Sequence, residues 1–172
     1  MVDVTDGVEF LPHPASPLTV AFSLVKGSKP ELVIQKLTEI GIDHIVVLAA
    51  ERTIVKWDDA KVAKATDRWN RIVREASMQS HRVRLPTVDG VVPAAAFLAG
   101  SNARIAHFDG RPVDATDQVI AIGPEGGWAP SELEVAGERV SLGDTVLRAE
   151  TAAICAGALL TAARRGTATD GR

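Results

Sequence analysis

The sequence predicts an α/β fold in which a mostly parallel sheet is flanked by helices. Three observations carry that reading. Gln118–Ile122 is short, almost wholly apolar and rich in β-branched residues, as a strand buried on both faces of a parallel sheet must be. Leu18–Val25, His44–Ala49 and Ala103–Asp109 read as further strands, separated by stretches of helical character. Near the C-terminus the order strand, glycine turn, helix start occurs twice, which is how open α/β sheets build a ligand crevice at their carboxyl edge.

The totals suit one domain with a sizeable core: 172 residues, 46% hydrophobic and 24% charged. Net charge is −3, so the chain as a whole does not advertise nucleic-acid binding, and any RNA site has to be a local basic patch. Cys155 is the only cysteine, which rules out an intramolecular disulfide and argues against a cysteine-based zinc site. No metal-ligand cluster, Walker loop or GxGxxG stands in the chain, so no metal is expected. The first residues carry Asp3, Asp6 and Glu9 with no apolar signal core, and no apolar run approaches the ~20 residues of a membrane span. A cytoplasmic protein without membrane contact is the expectation.

In chain order, residues 1–17 are polar and broken by Pro12, Pro14 and Pro17, and read as an extended arm. After the Leu18–Val25 strand, Ser28-Lys-Pro-Glu31 has the spacing of a capping box with proline in the first turn. The helix it opens is expected to bury Leu32, Ile34 or Gln35, and Ile40, and to stop at Gly41. Asp58–Gln79 predicts a long helix whose buried face is Trp69, Ile72, Val73 and Ala76, at helical spacing. Arg68, Arg71 and Arg74 lie off that face and Arg82 and Arg84 follow it; such a run is ordinarily a solvated surface, with RNA contact as the alternative. Ala94–Leu98 predicts a short helix, and Pro130, Glu132 and Glu134 mark another helix start. In the last helix, Thr151 to Arg164, with Thr151 as N-cap, small apolar residues run all the way round, which predicts burial on every side. Residues 167–172 read as a flexible tail.

Two stretches carry the chemistry. In Ile120-Ala-Ile-Gly-Pro-Glu-Gly-Gly-Trp128 the strand stops at Gly123-Pro124, and Gly126-Gly127 leaves backbone bare for a ligand; a tight turn without a ligand is the plain alternative. Ser141-Leu-Gly-Asp-Thr-Val-Leu-Arg-Ala-Glu-Thr151 repeats the pattern after one helix. Two such loops in succession resemble the cofactor loops of SPOUT methyltransferases, whose C-terminal chain forms a trefoil knot. More narrowly, GPEGG followed by LGxxxLRxET resembles the RsmE-type 16S rRNA uridine-N3 methyltransferases, over roughly Ser23 to Arg165.

The resemblance implies a SPOUT-type α/β knot over residues 18–166, with residues 1–17 as the remnant of a PUA-like RNA-binding domain that related enzymes carry before the knot. It implies a homodimer, the last helix packing on its twin, and a small-ribosomal-subunit 16S rRNA partner. S-adenosylmethionine is the implied cofactor, held by His107 and Phe108 of a first loop, by Ile122, Gly123, Pro124, Glu125, Gly126 and Gly127 of a second, and by Leu142, Gly143, Leu147, Arg148 and Thr151 of a third. Lys26, Glu39 and Arg52 match the family pattern, as does the glutamine-x-x-arginine of Gln79 and Arg82, although Met78 stands where relatives carry a glutamate. Lys26, Arg52, Gln79, Arg82 and Arg84 are the implied RNA contacts.

The sulfonium of the cofactor already activates the methyl group, so the protein's task is chiefly positioning. Uracil N3–H is weakly acidic, and an arginine near the uracil carbonyls would favour its anion. Arg52, Arg82 and Arg148 are the candidates, with Arg148 equally able to be a clamp on Glu150; no residue declares itself as the base. Two other functions stay open: a non-catalytic SPOUT-fold dimer that binds RNA or cofactor, and a SPOUT methyltransferase acting on another RNA such as tRNA.

Overall fold

The structure, a computed structural model, describes residues 16–27 and 29–169. The arm over residues 1–15, the Ser28 cap and residues 170–172 lie outside it. Six strands form one sheet in the order β3-β2-β1-β5-β4-β6, every neighbouring pair parallel. They are β1 (Thr19–Ser23), β2 (His44–Ala49), β3 (Thr87–Pro93), β4 (Arg104–Pro112), β5 (Val119–Ile122) and β6 (Arg139–Ser141). The helices are α1 (Lys29–Ile40), α2 (Asp59–Gln79), α3 (Ala94–Gly100), α4 (Pro130–Val135) and α5 (Ala149–Thr169).

The strands alternate their side chains between two cores, as the period of two requires. On one face Val20, Phe22, Ile45, Val47, Ile120 and Ile122 meet α1, α2 and α5 through Val33, Leu37, Trp69, Val73, Ala153 and Leu160. On the other, Ala21, Val46, Leu48, Ile105 and Ala121 meet α3 and α4 through Ala94, Leu98 and Leu133, with Trp128 alongside. All five residues of β1 are buried, the condition under which a strand reads as continuously apolar. Among the described residues no helix is long and apolar enough to cross a membrane.

Five sequence expectations are corrected. The α1 face is shifted: Val33, Ile34, Leu37 and Thr38 are buried, Leu32 is 44% exposed, Gln35 is exposed and Ile40 half-buried. The i, i+4 pair Val33–Leu37 faces the sheet, so Leu32 falls on the solvent side. Strand β3 was not foreseen: it is an edge strand interrupted by Gly90, with a register shift against β2, and only Val88 is fully buried. Thr151 is not an N-cap, because α5 begins two residues earlier and places Thr151, exposed, inside the first turn. Helix α5 also runs through Arg164 to Thr169. It buries only one face, Ala149, Ala152, Ala153, Ala156, Gly157, Leu160 and Thr161. Thr151, Ala158 and Ala162 are exposed, and Ile154, Cys155 and Leu159 half-buried, so within one chain the helix is not covered all round.

Candidate active site

The carboxyl ends of β4, β5 and β6 open into a cavity of about 630 Å³. Each wall has a local cause. Val140 of β6 pairs with both Ala106 and Arg111 of β4, so residues 107–110 loop out of the strand between those two registers. Gly110 closes that excursion where any Cβ would lie 2.4 Å from the Val140 backbone. The excursion lifts His107 and Phe108 to the cavity, with ring centroids 4.5 Å apart and Phe108 78% exposed. Asp109 bonds the His107 ring and accepts from Arg139 at 2.9 Å. Burial pushes the Asp109 carboxyl up, but the His107 bond and the Arg139 charge outweigh it and hold the group below the usual aspartate range.

After β5, Gly123, Pro124, Glu125 and Gly127 form the second wall, and Leu142, Gly143, Leu147 and Arg148, before α5, the third. The Trp128 indole packs over Gly123, where a Cβ would come within 3.0 Å of the ring. Trp128 is 6% exposed and its Nε1–H has no partner among the described residues. The β2–α2 loop reaches the cavity through Arg52, which lines it and whose Nη1 donates to the Gly126 carbonyl at 3.3 Å. That loop is stitched to the start of α4 by Glu132, whose carboxylate accepts from the Glu51 N–H at 2.9 Å and from the Ala129 N–H at 2.8 Å. Among the described residues Glu125 is the only carboxylate on the wall, against Arg52 and Arg148.

Of the residues singled out in the sequence, Arg52, His107, Phe108, Ile122, Gly123, Pro124, Glu125, Gly127, Leu142, Gly143, Leu147 and Arg148 come together on this cavity. Gly126 turns its carbonyl to Arg52, and Thr151 is off the wall. Arg148 does not clamp Glu150 by a direct ion pair: Lys29 takes that carboxylate at 2.9 Å and, by this hydrogen bond above all, holds it below the usual glutamate range. Lys26 is exposed and outside the cavity. Gln79 lines a separate cleft between α1 and α2. Arg84 is half-buried and outside the cavity. Arg82 is committed elsewhere. Its Nη1 donates to the carbonyls of Thr38 at 3.0 Å and Ile42 at 2.6 Å, its Nη2 lies 3.4 Å from Asp43, and its side chain is only 13% exposed. Sequence reading missed Trp128, Thr145, Val146 and Ala152 on the wall, and Glu132 behind it; the tryptophan directly after the glycines is the one signal that pointed there.

A family model described as an RNA methyltransferase domain matches residues 12–161. The chain belongs to that family. A ribosomal RNA small subunit methyltransferase E of Mycobacterium bovis is 37% identical over 165 residues, covering 85% of this chain and 63% of the relative. That of Bacillus subtilis is 32% identical over 163 residues, covering 80% and 62%. The chain thus spans somewhat under two thirds of the length of these relatives. Among solved structures, a putative methyltransferase from Legionella pneumophila in complex with the bound cofactor SAM superposes with a TM-score of 0.79 at 34% identity, over 86% of this chain and 66% of the other. A ribosomal RNA small subunit methyltransferase E from Neisseria gonorrhoeae bound to S-adenosyl methionine gives 0.73 at 27% identity, over the same shares of 86% and 66%. The chain has the α/β architecture of the SPOUT type, a parallel sheet with helices on both faces.

Proposed function

We propose that this chain is an S-adenosylmethionine-dependent methyltransferase that modifies N3 of a uridine in 16S rRNA. The observation that supports it most is the convergence of three separate loops on one cavity, together with the likeness to relatives named for that activity. The residues present fit the cofactor. Ile122, Leu142 and Leu147 offer apolar walls for an adenine, and Gly127 and Gly143 offer open backbone, with nothing within 4 Å of where a Cβ would stand. The unpartnered Trp128 Nε1–H is a spare buried donor, and Glu125 is an acceptor suited to a cationic ligand.

When bound, the cofactor supplies an activated methyl group on a sulfonium. The chain's own residues hold and orient it, exclude water with Ile122, Leu142 and Trp128, and bring positive charge to the acceptor. Arg52 and Arg148 stand on the cavity wall, where a guanidinium favours the anion that uracil becomes as N3 loses its proton. Arg82 takes no part in this reading, because its donors are spent on carbonyls outside the cavity. The span 18–166 is the catalytic unit, knotted at its C-terminal end, and two copies pair through the open face of α5, where small residues permit close approach. The partner is small-subunit rRNA and the compartment the cytoplasm.

Calorimetry tests the core of this reading. The chain should bind S-adenosylmethionine with one site per protomer, and Leu147→Arg, at a half-buried wall position, should weaken that by about tenfold or more while remaining folded. No binding by the unaltered chain would refute it.

A further inference from the structure

We infer that Glu132 is a positioning residue for Arg52, so that methyl transfer depends on a carboxylate that never touches the substrate. The inference rests on the reading of the cavity given above. Glu132 is 2% exposed, and its two oxygens are divided between two elements. Oε2 accepts from the Ala129 N–H at 2.8 Å, which is the usual reach of an acid in the first turn back to the helix cap. Oε1 accepts from the Glu51 N–H at 2.9 Å, on a loop 81 residues earlier, and α4 does not need that bond. Two backbone N–H groups demand two acceptors; a glutamine would turn an NH₂ towards one of them. Ser131 adds a second stitch, donating to the Glu51 carboxylate at 2.9 Å.

The consequence falls on the next residue. Arg52 has an exposed side chain, and an arginine on an untethered loop would spread over many rotamers. With the backbone of Glu51 fixed, its guanidinium is delivered to the cavity and meets the Gly126 carbonyl at 3.3 Å. Glu132 thus sets the glycine loop and the arginine in one frame, the support that a functional group needs from the residues behind it.

Steady-state methyl transfer should be measured for Arg52→Ala, Glu132→Gln and the double variant, with melting temperatures. Glu132→Gln should lower kcat about tenfold or more, to within about threefold of Arg52→Ala, while KM for S-adenosylmethionine moves less than about threefold; the double variant should be no worse than Arg52→Ala, since both act through one group. Losses that multiply in the double variant, or that follow a lowered melting temperature, overturn the inference. Ser131→Ala, at an exposed position, covers the case in which Glu132→Gln does not fold. It should lower kcat by about threefold at unchanged KM in the native background and have no effect beside Arg52→Ala; an unchanged kcat in the native background overturns the link. An unaltered chain that neither binds cofactor nor transfers methyl groups overturns the proposed function itself.

Discussion

Arg82 shows how a residue's surroundings decide its meaning. An arginine just after a basic helix suggests an RNA contact, yet the Arg82 guanidinium bridges the Thr38 and Ile42 carbonyls at and just beyond the end of α1, 40 to 44 residues earlier in the chain, beside an Asp43 that also takes Leu18 and Arg164. Arg82→Ala should therefore lower stability by roughly 1–3 kcal/mol, the cost of stranding buried carbonyls, with cofactor affinity unchanged in denaturant-controlled calorimetry. Asp117 gives a pH prediction of definite sign. Burial pushes its carboxyl up, but the hydrogen bonds from Arg111 and from the Asp114 N–H overcome this and leave it below the usual aspartate range. A depressed group contributes stability above its unfolded pKa and loses it as pH falls through the folded value. Urea titrations should show that contribution fading below about pH 4, the ordinary aspartate value, and Asp117→Asn should flatten that limb of the curve. The glycine loops were legible in the sequence because their turns are local. The long-range carbonyl bonds of Arg82 and the second bond of Glu132 were not, because their partners lie 40 and 81 residues away.

Among the elements, strands buried on both faces were the easiest to read: β1, β2 and β5 announce themselves as apolar runs. Strand β3 does not, since an edge strand with a glycine in its middle and one solvent-facing side lacks both the apolar run and the alternation. The 107–110 excursion is likewise invisible without β6, because only the double pairing of Val140 defines it. Gly110→Ala should distort that excursion, since backbone 2.4 Å away cannot yield as a flexible side chain would; a cost of about 1–3 kcal/mol is expected, with weakened cofactor binding as His107 and Phe108 shift. Helix α5 was read as apolar all round, and the single chain covers only half of it. If two copies pair as proposed, Ala158→Glu on the open face should give monomers in light scattering while leaving the melting of each chain nearly unchanged, because Ala158 is exposed within one chain.

For the whole molecule, a net charge of −3 leaves the proposed RNA binding to a few placed cations, and among the described residues Arg52 and Arg148 share the cavity with one carboxylate. Binding should therefore weaken only modestly with salt, with a slope of about 0.7 for each phosphate contact on single-stranded RNA. The parallel sheet makes this arrangement possible: every strand ends at the same edge, so loops far apart in sequence, after β2, β5 and β6, arrive at one cavity together. The most direct measurement of the central claim supplies the protein with labelled S-adenosylmethionine and small subunits that lack the modification, then identifies the methylated nucleoside by mass spectrometry. The account predicts one 3-methyluridine per 16S rRNA, lost in Leu147→Arg. Absence of transfer, or a methyl group on another base or on ribose, would contradict it.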